Sequence, residues 1–279
     1  MLLLINMKDN IKIWKNIEAV TKKYNALRLN DAINYKKFYL YSIITHSTAI
    51  EGSTLTESET ALLFDEGLTA KGKPLLHHLM NEDLKNAYLY AMSEADNKTQ
   101  ITLEFLKNLN ARVMAQTGGP VESIGGSFDS SKGEFRKVNV FARGGSSYMD
   151  YKKVLAITAG LCLELEQRLL KASSLQEKYN LSFDAHYNLV TIHPWADGNG
   201  RTSRLLMNYI QFYYGITPSK VYQQDRAEYI EALKKSQEGK SNTIFLHFMA
   251  KQLLKSLKEE IRNFEKSQKK SNDFSIMFY

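Results

Sequence analysis

The sequence predicts a mainly α-helical fold, and three observations carry that prediction. Glycine and proline are scarce, at 15 and 4 in 279 residues, too few for the many tight turns of an all-β chain. Apolar residues recur at intervals of three and four along most of the chain. Only the stretch from Pro120 to Met149 breaks that period. It is punctuated by Gly125, Gly126, Gly133, Gly144 and Gly145, and Val138 and Val140 alternate with Lys137, Asn139 and Phe141, as expected of an irregular loop with a short hairpin.

The elements follow in order. From Lys8 to Tyr24, Ile11, Trp14, Ile17 and Val20 define the apolar face of a first helix with basic residues opposite. A second helix starts near Asp31, a good N-cap, and runs through Ile33, Phe38, Leu40, Ile43 and Ile44 to about Glu51, where Gly52 offers a left-handed stop. Thr56-Glu57-Ser58-Glu59 is a capping box opening a helix that ends at Gly67. A loop at Gly72 and Pro74 leads to a helix from about Leu75 that buries Leu79, Leu84, Ala87 and Tyr88. Ile101 to Met114 forms another, bounded by Gly118-Gly119-Pro120. Asp150 to Ala172 reads as one long helix on Val154, Ile157, Leu161, Leu165 and Leu169, and Ser182 to Ile192 as a short one capped by Ser182. Asp225 to Lys235 and Ser241 to Phe264 complete the set.

Composition narrows the function classes. A hydrophobic fraction of 43% with 24% charged residues is that of an ordinary soluble globular protein. The single cysteine, Cys162, lies in an apolar run and predicts a buried structural thiol, with no internal disulfide or cysteine-based zinc site. The apolar run Met1 to Ile5 is too short for a signal-peptide core or a membrane span, so a cytoplasmic location is expected. The net charge of +7 invites a nucleic-acid reading, but its distribution argues against one. Residues 1–40 carry 8 Lys/Arg against 3 Asp/Glu and residues 251–279 carry 7 against 4, so the excess sits on solvated faces of terminal helices. His77 and His78 have no third ligand nearby and read as structural or solvated.

The chemistry is concentrated in His193-Pro194-Trp195-Ala196-Asp197-Gly198-Asn199-Gly200-Arg201-Thr202-Ser203-Arg204. Pro194 forces the residue before it out of the helical region, so His193 sits where a helix ends. Gly198-Asn199-Gly200 then opens into a second apolar-periodic helix carrying Leu205, Leu206, Tyr209 and Ile210. A glycine loop entering a helix is an anion site, because free backbone N–H groups and the helix dipole both favour negative charge there. Arg201 and Arg204, three apart, can reach the same polyphosphate. Asp197 is left as a Mg²⁺ ligand, since Mg²⁺ is commonly held by one or two carboxylates together with substrate phosphates. His193 is left as a general base whose ordinary pKa is near neutrality. A metal-hydrolase reading on His186, His193 and Asp197 would leave the arginines and the glycine loop without a purpose; His186 is read as a packing or supporting histidine.

These twelve residues resemble the signature of the Fic family, His-Pro-Phe-x-(Asp/Glu)-Gly-Asn-(Gly/Lys)-Arg-x-x-Arg, with Trp195 where phenylalanine is usual. The resemblance extends in order of elements over roughly residues 40–255 and implies a single Fic-like helical bundle with a short β-hairpin flap. On it the chain is one domain, residues 1–279, with an inhibitory helix at about 31–52 and a catalytic core at about 75–255. It also implies transfer of AMP from ATP to a Ser, Thr or Tyr hydroxyl of a target protein. His193 would be the base, Asp197 the Mg²⁺ ligand, and Gly198, Asn199, Gly200, Arg201 and Arg204 the phosphate cradle. Gly200, where other members carry lysine, favours nucleotidyl transfer.

Two further segments share the resemblance. Ser47, Glu51 and Gly52 match the inhibitory pattern (Ser/Thr)-x-x-x-Glu-(Gly/Asn), in which the glutamate pairs with the second signature arginine, here Arg204. That agrees with the residues themselves, because a carboxylate at a helix C-terminus faces the negative end of the dipole and needs a cation. Gly133-Glu134-Phe135-Arg136 resembles the start of the family's flap, whose exposed edge aligns the target as an added strand. Tyr229, Ala232 and Leu233 resemble a segment near the nucleotide base, and core packing explains them equally well. The residue types alone also permit removal of AMP by the same site, or a non-catalytic module binding a phosphate-bearing ligand. A homo-oligomer is compatible with the sequence, and a membrane partner is not expected.

Overall fold

The computed structural model describes residues 7–29, 39–141 and 148–276. Among them, ten α-helices, two single-turn 3₁₀ helices (Ser130–Lys132 and Gln223–Asp225) and one two-stranded antiparallel sheet make up the regular structure. The helices are α1 (Met7–Ala26), α2 (Leu40–Ile50), α3 (Glu57–Glu66), α4 (Leu75–Asp96), α5 (Leu103–Val113), α6 (Tyr151–Leu169), α7 (Leu175–Ile192), α8 (Asn199–Tyr213), α9 (Arg226–Glu238) and α10 (Thr243–Ile276). None is long and apolar enough to cross a membrane. Strand β1 (Pro120–Val121) pairs with β2 (Phe128–Asp129).

Helices α7 and α8 are the centre. Leu181, Ala185, Leu189 and Ile192 of α7, with Leu205, Leu206, Tyr209 and Ile210 of α8, join a core shared with α2, α4, α5 and α6. Tyr179, Phe183, Tyr187 and Val190 on another side of α7, with Met207 of α8, join a second core built with α1, α9 and α10. Packed between these two cores, α8 is buried from Asn199 through Gln211 apart from Gly200, its polar residues included. The loop joining α7 to α8 is therefore held between two cores, and it contains His193 to Gly198.

Several helix ends follow the local rules. Thr56 and Glu59 exchange side-chain and backbone bonds in a complete capping box, and Gly67 ends α3 in the left-handed conformation. Thr102 accepts from the Phe105 amide to start α5. The helix before the active loop, however, begins earlier than Ser182. Ser174 and Glu177 form the capping box of α7, and Ser182 is buried in mid-helix, donating to the Tyr179 carbonyl. On α1 the buried stripe runs through Ile13, Trp14, Ile17 and Tyr24, while Ile11 is exposed; Leu79 is half-buried and Ile157 faces solvent. The strands lie ahead of Val138 and Val140, and the later part of that segment is closed by the Tyr148 amide donating to the Val140 carbonyl. The Asp31 helix start and Gly144-Gly145 fall outside the described residues.

Three residues with chemical potential are structural. Cys162 is buried, and burial pushes its thiol up to about 12. His78 Nε2 accepts from the Ala70 amide and pins the loop before α4, while His77 Nδ1 contacts Thr54 in the segment between α2 and α3.

Candidate active site

His193 is the C-cap of α7, in the left-handed conformation at φ 55°. Non-glycine residues rarely adopt that conformation, and here it turns the chain out of α7 and into the Pro194 loop. Its Nδ1 lies 3.3 Å from the Val190 carbonyl. A carbonyl can only accept, so Nδ1 carries the proton and Nε2 is left as the lone-pair nitrogen. Burial drives the imidazole down to about 4, opposed by the Val190 carbonyl, and the ring is neutral at physiological pH.

The loop itself is tightly held. Asn199 closes it by accepting from the Trp195 amide at 3.0 Å and donating to the Trp195 carbonyl at 2.8 Å. Trp195 is fully buried and donates its indole N–H to the Gly133 carbonyl. Its place in the packing is that of an aromatic anchor, edge-on to Phe135. Gly198 caps α8 at φ 77°, and a Cβ there would come within 2.8 Å of Asn110 Nδ2 and Met114 Sδ. Asn110, fully buried on α5, supports this turn by donating to Thr202 Oγ1.

The cationic groups stand behind the loop. Arg201 is buried, yet its contacts are poor: 3.4 Å to the Val113 carbonyl, 3.3 Å to Met114 Sδ and 3.6 Å to Asp197. Its Nε is buried with no hydrogen-bond partner, a costly arrangement for a guanidinium. Asp197 projects outward with its side chain 71% exposed, one oxygen accepting from the Gly198 amide.

Arg204 is engaged on every nitrogen. Nε donates to Ser47 Oγ at 2.8 Å, Nη2 to the Ser47 carbonyl at 3.0 Å and to Glu51 Oε1 at 2.6 Å, and Nη1 to the Tyr229 hydroxyl at 3.3 Å. Burial alone would raise the Glu51 carboxyl, but Arg204, backed by Arg201 and Arg226, outweighs it and holds Glu51 below the usual carboxylate range. The same carboxylate raises Arg204 against its own burial. Gly52, at φ 107°, turns the chain away immediately after Glu51. The pairing expected between the end of the second helix and the second signature arginine is thus present.

Gly200 makes that pairing possible. A Cβ on Gly200 would stand 2.3 Å from Glu51 Oε1 and 3.2 Å from Arg204 Nη1. The hydrogen-bond chain continues through Tyr229 to His186 Nε2 at 3.0 Å. Burial holds His186 well below its ordinary value, so a neutral imidazole supports the Tyr229 hydroxyl. Ala232 and Leu233 are packed in the second core.

The flap segment is turned inward at its root. Glu134 accepts from the Asp129 amide, Phe135 packs on Trp195, and Gly133 supplies the carbonyl that Trp195 binds. Arg136 is 2% exposed and fastens the flap to the active loop: its amide donates to the Pro194 carbonyl, Nε to His193 O, Nη1 to Val138 O and Nη2 to Met149 O. Gly133, Phe135 and Arg136 therefore tie the root of the flap to the active loop, while Glu134 is exposed; none of the four lies in a strand.

Sequence reasoning missed three residues here. Tyr148 lies against the His193 ring, Asn110 supports the Gly198 turn, and Arg226 Nε donates to the Ile50 carbonyl at 2.7 Å beside Glu51. Each comes from a segment remote in sequence from what it touches, and no local pattern marks it.

Comparison with known proteins agrees with this geometry. Residues 100–211 match the Fic/DOC family. The chain is 33% identical over 245 residues to the protein named Protein adenylyltransferase Fic of Drosophila melanogaster, covering 85% of this chain and 46% of that protein. It is 34% identical over 237 residues to the protein of the same name from Drosophila virilis, covering 84% and 44%. The chain thus spans less than half the length of the curated relatives it matches. Among solved structures, a Fic domain containing signaling protein from Bacteroides thetaiotaomicron superposes with a TM-score of 0.72 at 23% identity, covering 88% of this chain and 96% of that one. Fic-1 from C. elegans superposes at 0.75 with 22% identity, covering 92% and 73%. The motif, the loop between two central helices and these relatives agree: residues 100–211 of this chain are a domain of the Fic/DOC family.

Proposed function

We propose that the chain is an autoinhibited protein adenylyltransferase, transferring AMP from ATP to a hydroxyl side chain of a target protein. The observation that carries this is a neutral histidine with a free Nε2 beside a glycine loop backed by a buried arginine nitrogen that has no partner. Binding a phosphate requires the loop and the arginine; it does not require a base next to them.

In this reading the triphosphate lies over the Gly198 to Gly200 amides with Arg201 beneath. His193 Nε2 takes the proton of the target hydroxyl while its oxygen attacks the α-phosphorus; the bond to the β-phosphate oxygen breaks and pyrophosphate leaves. Asp197 would hold Mg²⁺, which when bound would supply positive charge to the leaving phosphates. The protein's own contribution is positioning and preorganised N–H donors. The Glu51–Arg204 pair supports the autoinhibited part of the proposal, because a guanidinium serving the carboxylate cannot serve a terminal phosphate in the same geometry. Target docking is assigned to the flap that starts at Gly133, Glu134, Phe135 and Arg136. A cytoplasmic setting is part of the same proposal, in keeping with one buried, unpaired thiol.

The test is mass spectrometry of candidate proteins incubated with ATP and the Glu51→Gly variant. An added AMP on a hydroxyl residue, lost when His193→Ala is combined with it, is expected. Nucleotide binding without any transfer would overturn the reading.

A further inference from the structure

The aromatic contact on His193 has no part in the chemistry described so far. The Tyr148 ring lies parallel to the imidazole, with centroids 3.7 Å apart and planes 16° from parallel. Tyr148 is held there by its backbone: its amide donates to the Val140 carbonyl at 3.1 Å, and the next residue, Met149, gives its carbonyl to the buried Arg136. Arg136 also binds the carbonyl of His193 itself, so one side chain ties the position of the covering ring to the position of the covered one.

We propose that Tyr148 is a positioning residue for the base, holding the His193 ring in the one orientation that points Nε2 toward the acceptor hydroxyl. The proposal rests on His193 being the base. A histidine at a helix end can rotate about its Cβ–Cγ bond and exchange the places of its two ring nitrogens. Here that rotation would break the Nδ1 contact with Val190 and swing the imidazole edge into a ring packed flat against it. Of the charged groups that act on the imidazole, Arg136 opposes its protonation, and Glu51 and Asp197 favour it. The phenol itself stays protonated, because burial and the nearby Glu51 both raise it. It therefore adds a flat neutral face without adding charge.

The experiment is ¹⁵N NMR of histidine-labelled full chain, without nucleotide or target, together with transfer kinetics in the Glu51→Gly background. The native protein should show His193 with Nδ1 protonated and Nε2 bare. Tyr148→Ala should give signals averaged between the two tautomers and lower kcat about three- to tenfold, the size of an aromatic pair's contribution, with KM for ATP unchanged. Tyr148→Phe should restore both readouts. Tyr148→Leu, which keeps an apolar cover without a flat face, should follow the alanine variant and guards against misfolding of that variant. A native tautomer in both the Ala and Leu variants, or failure of Phe to restore it, would overturn the proposal. If instead His193→Ala retains transfer, the base reading fails while the tautomer measurement still reports on Tyr148.

Discussion

Glu51 Oε1 and Arg204 Nη2 are 2.6 Å apart, although 153 positions separate the residues in the chain. The arginine side chain is 5% exposed and the glutamate side chain 35%, so the pair joins a buried cation to a carboxylate that is partly open to solvent. A hydrogen bond between charged groups contributes about 1.5–3 kcal/mol, and each 1.4 kcal/mol corresponds to about a factor of ten in binding. Glu51→Gly is therefore expected to tighten ATP about tenfold to a hundredfold and to raise transfer, measured by calorimetry and by incorporation of labelled AMP. Unchanged affinity would show that Arg204 is not the group ATP competes for.

Gly200 offers a test of the same pair from the other side. Alanine is normally favoured over glycine within a helix by about 1 kcal/mol, and Gly200 is inside α8. Its Cβ would nevertheless stand 2.3 Å from Glu51 Oε1. Gly200→Ala should therefore destabilise the native protein by about 1–2 kcal/mol, the cost of displacing a packed polar contact. In the Glu51→Gly background the same change should turn neutral or stabilising. Denaturant unfolding of the four proteins in the cycle checks this, and additive effects would mean that the clash is relieved without disturbing the pair.

How far the site was legible depended on how local its determinants are. The Thr56 capping box, the Gly67 stop and the turn at His193 each follow from a few adjacent residues. The Glu51–Arg204 contact is long-range, but both partners carried a local need, one for a cation and the other for an anion. Tyr148 carried no such need, since a tyrosine in an irregular segment has no sequence period to say what it covers. Arg136 belongs to the segment whose resemblance to the family's flap implies an exposed edge. The fold instead gives it backbone carbonyls as partners, and only the path of the flap reveals where those carbonyls converge. Serine favours caps, and on that preference the sequence predicts a helix start at Ser182. It is buried inside α7, while Ser174, with Glu177 three residues on, does the capping.

The pH dependence follows from His193 and Glu51 in opposite ways. His193 is pushed from 6.5 down to about 4 by burial, so between those values the unfolded chain binds a proton that the native one refuses. Stability from this group is thus complete above about pH 6.5 and falls as pH drops toward 4. The base itself stays neutral through that window. The acid limb of kcat/KM in the Glu51→Gly variant should therefore lie nearer pH 4 than 6.5, in a rate profile taken on samples checked for folding at each pH. Glu51, held below the carboxylate range, stays ionised at neutral and mildly acidic pH, and its contribution is lost only as pH falls through its lowered value. The ratio of variant to native activity should be flat from about pH 6 to 8.

Arg136 should prove the most sensitive residue of the flap. Its guanidinium reaches the carbonyls of His193, Val138 and Met149, and its own amide reaches Pro194. Arg136→Ala leaves three carbonyls without that donor, at a cost of about 3 kcal/mol. Arg136→Lys should recover less than half of this, because a compact ammonium cannot reproduce a planar fork that serves three acceptors at once. Both variants also loosen the His193 carbonyl, so transfer should fall more than the global stability accounts for. Denaturant unfolding gives the first quantity. The transfer rate well below the unfolding midpoint, in the Glu51→Gly background, gives the second. If Arg136→Lys matches the native protein in both, the charge alone matters and the three-carbonyl clamp is not what holds the flap to the base.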